Sequence, residues 1–180
     1  STPPKTQASL LEAMQEYTVT AAGKTMPLMR PFFVVATQNP IEHEGTYPLP
    51  EAQLDRFMFS IHVDYPARSE EMAIVASTTS REFDVPRQVY TQEEALALQA
   101  MLRSMPVSDH VLAYAVDIAA AMRTCAEKAD KYIKNYVEWG AGPRASQYLI
   151  LGAKSLAMLE SRPAPTCDHV RRVAHAVLRH

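Results

Sequence analysis

A chain of 180 residues, 47% of them hydrophobic, carries enough apolar surface for one ordinary domain or two small ones with cores of their own. Its 18 basic residues against 20 acidic ones leave a formal net charge of -2, which excludes a global field that recruits nucleic acid or anionic lipid, so any polyanion site must be local. No apolar run approaches the roughly 20 residues of a membrane-spanning helix, and Ser1-Thr2-Pro3-Pro4 lacks the basic-then-apolar start of a signal peptide, so the expectation is a cytoplasmic protein.

Pro3 and Pro4 precede Thr6 to Glu16, where Leu10, Leu11 and Met14 recur at helical spacing. Proline is tolerated in a first turn, so this is a short amphipathic helix. Two β-type runs, Tyr17 to Thr20 and Met26 to Met29, flank a Gly-containing turn over Ala21 to Thr25 and predict a hairpin, with Pro27 marking its second arm as an edge. Phe32 to Thr37 is a continuous apolar, β-branched and aromatic run, the pattern of a strand buried on both faces of a parallel sheet. A polar, proline-bounded loop from Gln38 to Pro50 leads to a short helix over Glu51 to Phe57 and a second apolar run, Met58 to Val63. Covered α/β sheets commonly have about five strands, so two parallel-type strands read as an α/β core cut at its N-terminal end.

After Asp64-Tyr65-Pro66 the period becomes helical. Ser69-Glu70-Glu71 opens one helix, and Thr91 with Glu94 forms a capping box before a second, over Leu96, Leu98 and Leu102. Ser108 can cap a third from Asp109 to around Ala129, with Val111, Ala115, Ile118 and Ala119 on its apolar face. Gly142-Pro143-Arg144 starts a fourth through Tyr148, Leu149 and Leu156, and Thr166-Cys167-Asp168 starts a fifth through Val170, Val173 and Val177. Five helices with short loops predict a compact bundle, which divides the chain into an α/β remnant over residues 1–65 and an all-α domain over 66–180.

Three places carry residue types suited to phosphate chemistry. Asn39 follows the apolar run Phe33 to Thr37, at the strand end where α/β sheets hold ligands. Its amide can orient a water or touch a phosphate, and equally can make an Asx-turn before Pro40. Arg56, beside Asp55 and the apolar Phe57, reads locally as a solvated or ion-paired cation. Arg144 falls in the first turn of a helix, where the dipole disfavours a cation; a bound phosphate or a carboxylate partner would offset that. Glu42, His43 and Glu44 cluster in the loop after Asn39, which fits exposed polarity better than a metal site. His169, His175 and His180 share no face for coordination and read as solvent contacts, and Cys125 and Cys167, without a Cys-x-x-Cys pair, read as reduced. None of the five glycines lies in a Gly-rich phosphate cradle.

Taken together, Pro3 to Gln7 with Leu10 to Glu16, Ala36-Thr37-Gln38-Asn39-Pro40, the stretch from Glu44 to Phe57, and Gly142-Pro143-Arg144-Ala145-Ser146 closely resemble the MoxR family of AAA+ ATPases across essentially the whole chain. The resemblance implies the rear part of a P-loop AAA+ core followed by a helical lid. Asn39 is then the sensor 1 residue near the terminal phosphate, Arg144 the sensor 2 residue, and Arg56 an arginine finger that reaches a neighbouring subunit's nucleotide in a ring, a hexamer. The cofactors implied are ATP and Mg2+, and the partners are further copies of the chain and protein clients of a chaperone-like machine. The hairpin resembles the pre-sensor hairpin of the same AAA+ branch. In the family the Walker A loop and the acidic Walker B pair lie upstream of the stretch that resembles Pro3 to Glu16, and Lys5 is no substitute, so this chain alone is expected to bind ATP weakly and hydrolyse none. Truncation at both ends is the corresponding expectation.

A nucleotide-independent protein-interaction module is the competing reading, disfavoured by a sheet without partners. A DNA-directed motor is disfavoured by near-neutral charge without a basic stripe. An anisotropy titration with duplex DNA at low and moderate salt is expected to show no binding at either; salt-sensitive binding would restore the motor reading.

Overall fold

The structure, a computed structural model, describes residues 4–38, 51–80, 86–128 and 142–179. Helix α1, Pro4–Glu16, begins with a proline whose missing N–H costs nothing in a first turn, and turns Ala13 inward at 2% exposure. It ends at Tyr17, which takes a left-handed φ of 54° and donates its N–H to the Ala13 carbonyl at 3.1 Å. Strands β1, Thr18–Ala21, and β2, Lys24–Pro27, then pair antiparallel, with Val19 opposite Met26 and Thr20 opposite Thr25. The turn is tighter than the sequence suggested. Only Ala22 and Gly23 close it, both at positive φ (50° and 76°), which suits the right-handed twist of a two-residue hairpin and which glycine alone adopts without strain. The Thr20 hydroxyl donates to Glu12 Oε1 at 3.0 Å and ties the hairpin to α1.

The two expected parallel-type strands are not formed. Residues 32–38 and 59–67 are extended without a ladder, and Phe33, Val35, Ile61 and Val63 are 80%, 87%, 75% and 84% exposed. A strand is a pairing and not a propensity, and among the described residues β1 and β2 pair only with each other. The second segment is still anchored, because Ser60 N–H donates to the Ala176 carbonyl at 2.8 Å. Helix α2 is also shorter than the expected Glu51 to Phe57. It spans Glu51–Leu54, and Asp55 and Arg56 lie in the turn that closes it, with Arg56 N–H donating to Gln53 O at 3.2 Å and Phe57 N–H to Leu54 O at 2.9 Å.

The five helices of the second part form where expected: α3 over Arg68–Thr78, α4 over Gln92–Ser104, α5 over Asp109–Lys128, α6 over Pro143–Leu159 and α7 over Cys167–Leu178. The capping box at α4 is present, with Glu94 N–H donating to Thr91 Oγ1 at 3.1 Å and Thr91 N–H to Glu94 Oε2 at 2.7 Å. These helices do not share one core equally. Buried residues come from α5 (Val111, Ala115), α6 (Leu149, Ala153) and α7 (Val170, Val173), whereas α3 and α4 bury none. On α3 the apolar residues Met72, Ile74 and Val75 are about half exposed, so its helical period faces no partner among the described residues. Helix α4 is held to α6 by the buried Lys154, whose Nζ donates to the Arg103 carbonyl at 3.0 Å and satisfies one of the open carbonyls of the α4 C-terminus.

Helices α6 and α7 pack closely at Gly152. A Cβ on Gly152 would stand 3.3 Å from three carbons of Val173, so the absence of a side chain there sets how near the two helices come. The loop between them is closed by His169, which is 5% exposed and not the solvent contact that its spacing suggested. Its Nδ1 accepts from Thr166 N–H at 2.9 Å, so Nε2 carries the proton and donates to Glu160 Oε2 at 2.9 Å, while Glu160 Oε1 accepts from Arg172 at 2.5 Å. An imidazole thus replaces the usual carboxylate of a capping box. His175 is exposed, as expected, and Cys167 is a free thiol.

Two outcomes follow. Leu149→Ala, which empties a fully buried site, is expected to lower the unfolding free energy by about 2–5 kcal/mol in urea denaturation. The hydrogen bond from Arg172, and after it that from His169, holds the Glu160 carboxyl below its ordinary value of 4.5. A carboxylate depressed in the folded chain contributes stability that is present above the unfolded pKa and is lost as pH falls through the folded one. Urea midpoints measured from pH 7 down to pH 3 are therefore expected to fall more steeply for the wild type than for Glu160→Gln below about pH 4.5; parallel curves would refute the assignment.

Candidate functional site

The C-terminal turn of α1, the turn after α2 and the first turns of α6 meet around an open recess of about 310 Å3, lined by Met14, Gln15, Glu16, Arg56, Arg144 and Tyr148. Two of the three residues singled out from sequence therefore stand at one place. Arg144 and Tyr148 are four residues apart on α6, one above the other on the same face. Arg56 reaches the recess because the α2 turn closes on α6, and the Tyr148 hydroxyl donates to the Arg56 carbonyl at 3.2 Å. Asp55 approaches from the same turn. Its Oδ2 stands 3.5 Å from where a Cβ on Gly142 would lie, which puts a carboxylate in contact range of the N-cap of the helix that carries Arg144.

Charge in the recess is mixed but not balanced atom by atom. Among the described residues, the buried Arg56 Nε–H has no acceptor and the buried Gln53 Oε1 has no donor. An unmet buried donor costs about 1–3 kcal/mol, more on a charged group. Burial pushes the Tyr148 phenol above its ordinary 10.0; Arg144 and Arg56 pull it down, and Asp55 and Tyr17 push it further up. The phenol is therefore a neutral hydrogen-bond donor at neutral pH. Tyr17, where α1 passes into the hairpin, lies under the guanidinium of Arg30 at 4.3 Å from its ring centroid.

Asn39 lies outside the described residues, as do Glu42, His43 and Glu44. Among the described residues no group of three or more His, Cys, Asp or Glu side chains could hold a metal ion, and no described helix is long and apolar enough to cross a membrane. Sequence reasoning missed Tyr148, read only as part of an apolar helix face. Its position four residues after Arg144 was the available signal.

Residues 1–59 match the ATPase family associated with various cellular activities (AAA), and residues 129–180 match the AAA lid domain. The chain is 41% identical over 180 residues to Chaperone MoxR1 of Mycobacterium tuberculosis, covering 99% of this chain and 47% of that one. It is 39% identical to protein YeaC of Bacillus subtilis, with 99% and 53% covered, and 30% identical to protein MoxR of Paracoccus denitrificans, with 98% and 55% covered. A crystal structure of a candidate ATPase from Cytophaga hutchinsonii superposes with a TM-score of 0.84 at 34% identity, over 98% of this chain and 54% of that one. The fold is that of part of an AAA+ core with a helical lid, and the chain belongs to the MoxR family of AAA+ ATPases. It spans about half the length of the relatives it matches.

Proposed function

We propose that the chain is the rear part of an ATPase that couples ATP binding and hydrolysis to chaperone-like remodelling or maturation of protein partners. Residues 1–65 belong to the nucleotide-binding core and residues 66–180 form the lid. The observation that carries this reading is the convergence of Arg56 and Arg144 on one recess, with a buried Nε–H of Arg56 that has no acceptor among the described residues. A guanidinium is planar, always charged and forked, and two of them suit the oxygens of a terminal phosphate better than a single carboxylate. The name of the Mycobacterium tuberculosis relative, a chaperone, supports protein clients as the partner class.

In this reading Arg144 is the sensor 2 residue and couples lid position to the nucleotide. Asn39 is the sensor 1 residue that orients the attacking water. Arg56 is the arginine finger, which neutralises charge developing on the transferred phosphoryl group in a hexameric ring. Within one chain Arg56 stands beside that chain's own Arg144, so service to a neighbouring subunit requires its side chain to swing out of the recess. The residues fit a phosphate but not a magnesium ion, because no described acidic cluster could hold one. Mg2+ ligands and the phosphate cradle are assigned to sequence upstream, where the family carries them. This chain alone is accordingly proposed to hydrolyse no ATP, and the location proposed for it is the cytoplasm.

The test compares this chain with one extended upstream to the length of its relatives. The short form is expected to show no phosphate release, and the long form to hydrolyse ATP. Arg56→Ala in the long form is expected to reduce kcat by about 10³-fold or more while nucleotide binding stays within about threefold. A long form that binds no nucleotide would favour instead the nucleotide-independent interaction module.

A further inference from the structure

Arg56 sits in a turn and not in regular structure, so something must hold that turn against α6 for two guanidinium groups to share a recess. Its side chain is not that anchor at Nε, which has no acceptor among the described residues. The backbone is. The hydroxyl of Tyr148 donates to the Arg56 carbonyl at 3.2 Å across 92 residues of sequence, in a half-buried place where water competes poorly. Tyr148 is also one helical turn beyond Arg144 on the same face, so any shift or rotation of the start of α6 carries both side chains together.

We propose that Tyr148 is a positioning residue that latches the Arg56 turn onto the helix bearing Arg144, so that the two arginines move as one unit. The latch rests on the reading of Arg56 and Arg144 as nucleotide-phosphate ligands. Its chemistry is a neutral donor on a carbonyl, made on one side by the phenol and on the other by main chain, so it leaves both guanidinium groups free for an anion.

Tyr148→Phe removes the hydroxyl and keeps the ring. In the protein at the full length of its relatives, this variant is expected to lower kcat about fivefold, the effect of one hydrogen bond, with KM for ATP within about twofold and an unchanged thermal midpoint. In an Arg56→Lys background the same change is expected to cost nothing further, since a latch acts only through the arginine it positions; an additive loss would mark a merely structural tyrosine and overturn the proposal. If Arg56→Lys lowers kcat but Tyr148→Phe does not, the latch is wrong and the reading of Arg56 stands. If Arg56→Lys leaves kcat unchanged, that reading falls and the latch falls with it. A readout without turnover is NMR titration of isotope-labelled tyrosine in the present chain: the Tyr148 phenol is expected to titrate above its ordinary value and to move down in Asp55→Asn, and a phenol insensitive to Asp55 would contradict the geometry.

Discussion

Helix α6 has to satisfy two demands along its length, and the contact at Gly152 is where they meet. One face buries Ala145, Leu149, Gly152, Ala153 and Ala157, all but one of them small, so that α5 and α7 can come close. Close-packed interiors transmit such constraints because there is little free volume to absorb a shift. With Val173 3.3 Å from any Cβ at 152, the separation of α6 and α7 is set by bare backbone on one side. Helix α7 then carries the segment after Arg56, through Ser60 N–H on the Ala176 carbonyl, and α6 carries Arg144 and Tyr148. The recess is therefore an outcome of helix packing about one to two turns away from it along α6.

The recess itself is a local departure from the near-neutral charge of the chain. Two arginines face it together with Glu16, and Asp55 stands behind at the start of α6. A cation in the first turn of a helix works against the dipole by roughly 0.3–1 kcal/mol, and Asp55 supplies the compensating negative charge there. That leaves the guanidinium groups oriented without being consumed by a full set of ion pairs. Among the described residues the ion pairs at distances up to 4 Å lie elsewhere, at His62 with Asp64 and around Glu160 and Asp168.

Stability is unevenly distributed. The core belongs to α5, α6 and α7, and the joint between the last two is reinforced by the Glu160, His169 and Arg172 network. The hairpin, α3 and the extended segments at 32–38 and 59–67 bury little apolar surface. Segments of low burial open at low free-energy cost, and those that must adjust to ligands or partners are drawn from this end of the range. The arginine recess lies on the border between the two regimes, with Arg144 on the rigid helix and Arg56 on the turn.

Much was legible locally. Helix starts at Thr91, Gly142-Pro143 and Thr166, and the left-handed glycine of the hairpin, follow from backbone chemistry within four residues, and the family resemblance rests on contiguous motifs. Arg56 and Arg144 could be named from those motifs. The strands at Phe32 and Met58 could not be settled this way, because a ladder requires a partner elsewhere in the fold. Nor could the burial of His169, which depends on Glu160 nine residues away, or the role of Tyr148, which depends on a carbonyl 92 residues away. The sequence by itself determined what each segment prefers and which residue types are present. Only the tertiary structure decided which of them meet, because hydrogen bonds and packing contacts between distant segments have no signature in the local pattern of either one.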